Sequence, residues 1–522
     1  MTRSTPIALL LAAAALAQAP TPPRRKPKLV LAVIADQFRL DYLYRFRDNY
    51  SGGLSRMLTQ GAVFTNAYYE HSYTVTAIGH STFMSGATPS ISGIVANDWY
   101  DRQSGKAVTS VSDTGHKMVG ATGDGSSPRR LLVSTLGDEL KMAGRGKPKA
   151  IGISIKDRSA ILPVGHMADG AFWFDNKTGN FVSSTYYFAD ALPSWTGDFN
   201  KSRAVDKYMG AEWRPIDNPK AEPFQTMLKE PTDKYWGEMQ RTPFGNEIVE
   251  ALAERAVVAE KLGQRNEPLP DLLAVSFSSN DYIGHDYGPD DPRVRDISIR
   301  TDRLLGKLFQ FLEAKVGMAN VLVVFSADHG VAPIPRVNNE RKMPGGTLGA
   351  KAILAKLDER LDAVYGRGEW FPRPELPAIY VNRNLIAHLG LDAARVRARI
   401  ASWLREEAHV QRVYTWDQLA DGRAGSDPID LRVRNSFNAE RGPDIYLVLD
   451  PYWLPEPGKG TTHGTPYSYD AHVPVMFLGP GVKAGFHHGK AAPNDIAPTL
   501  ATMLEVERPS GALGRVLEEM LR

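Results

Sequence analysis

No cysteine occurs in the 522 residues of the chain. Disulfides and thiolate ligands are thereby excluded, so any bound metal must rest on His, Asp, Glu or hydroxyl groups. A charge bias is missing too. Lys and Arg number 62 against 59 Asp and Glu, a formal net charge of +3, so charge does not point to nucleic acid as a partner. The one dense basic run, "RRKPK" at 24–28, reads as a solvated leader to the first strand. Membrane-spanning runs are lacking as well. The apolar run 7–17 has eleven residues, short of the about 20 that cross a bilayer. With Arg3 before it and a Pro-rich break after it, this run has the order of a secretory signal. The expected leader is 1–17, cut after Ala17 or after Ala19, with Pro20 favouring the first; an uncleaved anchor is the alternative. The mature chain is then periplasmic or secreted, without stable membrane insertion.

Hydrophobic content of 43% and charged content of 23% describe an ordinary globular protein. Short apolar runs recur: "KLVLAVIAD" (28–36), "KAIGISIKD" (149–157), "DLLAVSFSSND" (271–281), "NVLVVFSADHG" (320–330) and "HVPVMFLGPG" (472–481). Near-continuous Val, Ile and Leu without alternation predicts strands buried on both faces. Amphipathic helical patterns lie between them, as at 246–263 and 293–317. The fold class read from this is α/β: an α/β/α sandwich with a largely parallel central sheet. Two regions interrupt it. Residues 160–245, rich in aromatics and Pro, read as a cap insertion. Residues 340–450 read as a small α/β insertion within a domain spanning 28–522.

Chemistry gathers at the strand ends. Asp36, Asp281 and Asp328 each follow an apolar run, and in open α/β sheets ligands bind beyond the carboxyl ends of the strands. Three carboxylates at one edge repel unless cations neutralise them. Asp281 and His285 stand at i, i+4, so one helical turn puts both on one face. His329 adjoins Asp328, and His463 sits in a Gly-flanked loop. Three Asp and three His without Cys suit two divalent ions, with zinc first among them. The stretch "HSYTVTAIGHSTFMSG" (71–86) reads as a short helix from Thr76 ending at Gly86. Thr76 then stands where unpaired N–H groups favour an anion, as a cap or as a nucleophile.

"TVTAIGHSTFMSGATPSISGIVANDWYD", "SNDYIGHDYGP", "SADHG" and "THGTPYSYDAHVPVMFLGPG" together resemble the alkaline phosphatase superfamily, in matching order over about 28–505. Its threonine-nucleophile branches are the nearest: PafA-type alkaline phosphatases and the nucleotide pyrophosphatases/phosphodiesterases. The resemblance implies that Thr76 becomes transiently phosphorylated. It implies one zinc on Asp36, Asp328, His329 and the Thr76 oxygen, and a second on Asp281, His285 and His463. Asn97 matches the family asparagine that donates to a phosphoryl oxygen. Lys156 and Arg158, in "KDR", resemble the monoesterase pattern, with Lys156 replacing a third, magnesium, site. Two cations and an amide suit a dianionic group with three free oxygens.

The expectation is a broad-range phosphate monoesterase acting on small molecules, a monomer or homodimer. A diesterase, a phosphonate hydrolase and an inactive phosphate- or metal-binding protein are the rivals; a sulfatase would need a Cys or Ser motif that is missing. His80 either hydrogen-bonds inside the site or packs in the core. Asp470 and His472 read as supports near the second metal. His166 and the aromatic groups 172–174 and 185–188 read as cap structure.

Overall fold

The computed structural model describes residues 26–456, 458 and 460–522. The expected leader, with both cleavage sites, lies outside the described residues. Eleven strands form the main sheet: β1 (Leu29–Ala35), β2 (Ala62–Phe64), β3 (Ser112–Val119), β4 (Asp124–Ser126), β5 (Ala150–Ser154), β6 (Gly170–Asp175), β7 (Asn180–Ser184), β8 (Asp271–Phe277), β9 (Val321–Ser326), β10 (Val475–Leu478) and β11 (Gly485–His487). Their spatial order is β11-β2-β10-β9-β1-β8-β5-β6-β7-β3-β4. The centre, β9-β1-β8-β5-β6, is parallel and in close register, with Ala35 beside Phe277, Ile34 beside Ser326 and Ser154 beside Ser276. Whatever follows these strands therefore emerges at one edge. β10 runs antiparallel to both β9 and β2, and β7 antiparallel to β6.

The continuous apolar runs are explained by burial on both faces. In β1, Leu29, Leu31, Val33 and Ala35 join one core, and Val30, Ala32 and Ile34 join the other. Four helices carry the argument: α1 (Thr76–Ser85), α2 (Pro243–Ala259), α3 (Ser279–Tyr287) and α4 (Pro292–Lys315). The first core is covered by Ile248, Leu252 and Val257 of α2 and Leu305, Leu308 and Leu312 of α4; the second by Ile78, Phe83 and Met84 of α1. This is the α/β/α sandwich, with one hydrophobic core on each face of the sheet.

Part of the stretch read as a cap, 160–245, belongs to the main sheet. β6 and β7, within 170–184, extend the main sheet. Phe172 and Phe174 enter one core and Trp173 the other, so three consecutive aromatics mark a strand buried on both faces, where their bulk hid the period of two. Helices Ser194–Lys201 and Asp233–Met239 follow outside the sheet. The small unit has its own three-stranded sheet, ordered Ala378–Ile379, Ile445–Leu449, Val410–Thr415. It also has its own core, which includes Leu357, Val396, Ile400 and Ile445.

Candidate active site

Helix α1 starts at Thr76 after an extended Val75 and stops at Gly86, whose φ of 68° is the left-handed conformation that glycine adopts freely. Every residue of α1 is buried. Gly79 lets the helix lie directly on the loop after β9: a Cβ there would stand 2.3 Å from the carbonyl oxygen of Asp328. His80 ties the same parts together. Its Nδ1 is 2.8 Å from the Thr76 carbonyl and 3.2 Å from Asp328 Oδ2, and its Nε2 is 2.8 Å from Ser276 Oγ at the end of β8. It is a hydrogen-bonded residue of the site, not a packed apolar one. Asn97 Oδ1 accepts the N–H of Ala77 at 2.8 Å. That bond occupies the amide oxygen and leaves the NH₂, a double donor, to serve another group.

Two groups of carboxylate and imidazole atoms converge beyond the sheet edge, Asp36/Asp328/His329 and Asp281/His285/His463. In the first, His329 Nε2 is 3.5 Å from both Asp36 Oδ1 and Asp328 Oδ2. These three atoms are buried and, among the described residues, have no hydrogen-bond partner, an expensive arrangement unless a cation lies among them. In the second, Asp281 Oδ1 is 3.1 Å from His285 Nε2 and 3.7 Å from His463 Nε2. The His329 and His463 rings stack at 3.5 Å, so the groups are neighbours. All three imidazoles are oriented alike. Nδ1 faces a backbone carbonyl, Gly330 for His329, Thr461 for His285 and Thr74 for His463, at 2.7–2.9 Å. A donated Nδ1–H leaves each Nε2 lone pair to face the centre of its group, the arrangement metal-ligating histidines adopt. The Thr74 bond also brings His463 within two residues of Thr76.

Lys156, just past β5, joins the groups. Its ammonium donates to Asp36 Oδ2 at 2.6 Å and Asp281 Oδ2 at 2.7 Å. Arg158 makes no such pair. Its buried Nε has no partner among the described residues, and it stands close enough for its charge to act on Lys156 and Tyr282.

Electrostatics follows the packing. Burial, reinforced by Asp328 and Asp281, pushes the Asp36 carboxyl well above the usual range despite Lys156. Burial also opposes ionisation of Asp281, but His285 and Lys156 hold it well below that range; His329 and His80 do the same for Asp328. Burial would lower the Lys156 ammonium, and Asp281 and Asp36 outweigh it and raise it. Burial lowers His329 and His463, the direction that favours the neutral ring a metal ligand needs. His285 is raised, because Asp281 outweighs its burial.

Among the remaining sequence candidates, Asp470 accepts the Thr465 N–H at 2.9 Å and its hydroxyl at 2.7 Å, holding the loop after His463. His472 binds the Thr65 carbonyl and stacks on Tyr68, and His166 binds the Leu131 carbonyl; both are structural. Gln37 was not foreseen. Its backbone N–H donates to Asp328 Oδ1, and its buried side chain to Asp281. The only sequence signal was its place after Asp36.

This fold, with two histidine–carboxylate groups beside a threonine that begins a buried helix, defines a class of phosphoryl-transfer hydrolases. The sequence model of the type I phosphodiesterase/nucleotide pyrophosphatase family matches residues 30–473, and the chain belongs to that family. Within it, the chain groups with PafA-type alkaline phosphatases. It is 35% identical to the alkaline phosphatase PhoV of Synechococcus elongatus, over 95% of this chain and 93% of that one. It is 36% identical to a Myroides odoratus protein named a calcium-transporting ATPase, over 95% of each. The crystal structure of wild-type PafA superimposes with a TM-score of 0.88 at 35% identity, covering 95% of this chain and 99% of that one.

Proposed function

We propose that the chain is an exported alkaline phosphatase that hydrolyses small-molecule phosphate monoesters through a phosphothreonine on Thr76. The observation that supports it best is the convergence of two ligand groups beside the start of α1. The donor sets, two Asp with one His and one Asp with two His, fit zinc. Asp36, Asp328 and His329, with the Thr76 hydroxyl, would hold one ion; Asp281, His285 and His463 would hold the other. A pair of zinc ions there supplies Lewis-acid activation of a hydroxyl and neutralises charge on a leaving oxygen. Lys156 fills the place between Asp36 and Asp281 that a third cation would take, so no catalytic magnesium is proposed.

The chain's own residues do the rest. Thr76 Oγ attacks phosphorus and the P–O bond to the alcohol breaks; overall, the threonine proton ends on that alcohol. Water then cleaves the phosphothreonine, releasing phosphate and restoring Thr76. Asn97 Nδ2 and Arg158 donate to phosphoryl oxygens, and the positive end of α1 favours their charge.

Charge selects the ester. Three carboxylates and Lys156 leave two negative charges, which two divalent ions turn into two positive ones. A monoester dianion matches that excess, and Arg158 adds to it; a diester, with one charge and a second organic group, gains less. Diester cleavage, the activity for which the family is named, is the second reading, because it shares every metal ligand. ATP ends in the same kind of phosphoryl group, so a relative named an ATPase is compatible with this site. The leader at 1–17 supports export. Turnover of p-nitrophenyl phosphate by zinc-loaded Thr76→Ala tests the mechanism: most of it should vanish while bound zinc is kept.

A further inference from the structure

An in-line displacement places the entering and leaving oxygens at opposite ends of phosphorus. The proposed function puts Thr76 with the first ligand group, and Gly79 and His80 of its helix rest on Asp328 of that group. The leaving alcohol therefore departs on the side of Asp281, His285 and His463. A cavity of about 310 Å³ opens on that side. His285 and His463 line it, together with Asn97, while Asp36, Asp328 and His329 do not. Its far wall comes from the small unit: Leu376, Pro377 and Leu449. An adjoining cavity shares Asn97 and Leu376 and holds Arg373. That guanidinium is already paired with both Asp98 and Glu375, which balance its charge.

On the phosphatase reading above, we propose that this cavity seats the leaving alcohol. Its apolar wall makes uncharged aryl groups the preferred leaving groups, with Leu376 as the residue that sets the preference. The small insertion is then a specificity element, some 300 residues along the chain from the nucleophile it serves.

Intrinsic reactivity must be separated from recognition. 4-Chlorophenyl phosphate and 4-carboxyphenyl phosphate release phenols of nearly equal acidity, so their kcat/KM ratio on the zinc-loaded enzyme reports the wall. Wild type should favour the chloro ester by about tenfold or more, the range that an apolar pocket contact gives. Leu376→Ala should reduce the ratio, and Leu376→Lys should bring it to about one or below. Inhibition by inorganic phosphate, which fills only the phosphoryl end, confirms that both variants keep an intact site. A wild-type ratio near one, or a ratio that Leu376→Lys leaves unmoved, overturns the proposal and spares the phosphatase reading. No phosphate release from either ester overturns both.

Discussion

The side-chain amide of Gln37 donates to Asp281 Oδ1 at 2.6 Å, across the sheet edge from the strand that carries Asp36. Its backbone N–H meanwhile donates to Asp328 Oδ1 at 3.0 Å. One residue thus contacts a carboxylate of each ligand group. It does so in the left-handed region, at φ 61°, which is unfavourable by about 1–2 kcal/mol for a residue with a Cβ. Gly284 makes room for it, since a Cβ there would lie on Gln37 Oε1.

Gln37 is therefore expected to space the two groups. Gln37→Gly keeps the backbone conformation and removes the amide. Zinc affinity, measured by competition with a chelator, should weaken about 10–100-fold, the usual cost of losing a residue that orients a ligand. Gln37→Ala should weaken zinc similarly and also lower the thermal midpoint. Unchanged zinc affinity in Gln37→Gly would remove the positioning role.

Lys156 is expected to discriminate between esters. Removing its ammonium strips positive charge from the pocket and leaves Asp36 Oδ2 and Asp281 Oδ2 without their donor. Lys156→Ala should lower kcat/KM for p-nitrophenyl phosphate by about 10²-fold or more, in the range of losing one electrostatic donor. The loss for bis-p-nitrophenyl phosphate should be smaller. Equal losses on both esters, or a wild-type preference for the diester, would favour the diesterase reading.

His71 predicts an acid sensitivity. Its ring is wholly buried, neither nitrogen has a hydrogen-bond partner among the described residues, and burial lowers its pKa to about 3. The folded pKa is depressed, so the unfolded chain takes up a proton near pH 6.5 that the folded chain refuses. The stability at stake is fully present above pH 6.5 and is lost as pH falls toward 3. The loss reaches about 1.4 kcal/mol per pH unit. In metal-free protein, His71→Leu should lose less stability than wild type between pH 7 and pH 4. Parallel denaturation curves across that range would contradict the assignment.

Much of the candidate site was legible because the carboxylates that gather there follow strands of an unusual kind. Runs such as those ending at Asp36 and Asp328 are apolar on both faces, which implies a covered sheet and fixes where its carboxyl edge lies. His285 followed from helical spacing, and the extent of α1 from Gly86. Other features leave no local trace. "HVPVMFLGPG" is as apolar as its neighbours, yet its strand runs antiparallel, because direction depends on the connection and not on composition. Gln37 carries a positive φ that only tertiary contacts impose. The Nδ1 partners of the three histidines are backbone carbonyls, to which any residue type contributes. Leu376 and Leu449 reach the cavity through the docking of the small unit, which no spacing in the sequence encodes.

The central claim is covalent, and trapping tests it most directly. Zinc-loaded enzyme mixed with a phosphate monoester and quenched in acid should carry one phosphoryl group on the peptide containing Thr76, as read by mass spectrometry. Thr76→Ala should carry none while retaining its zinc. A phosphoryl group on a different residue, or near-normal turnover by Thr76→Ala, would contradict the account.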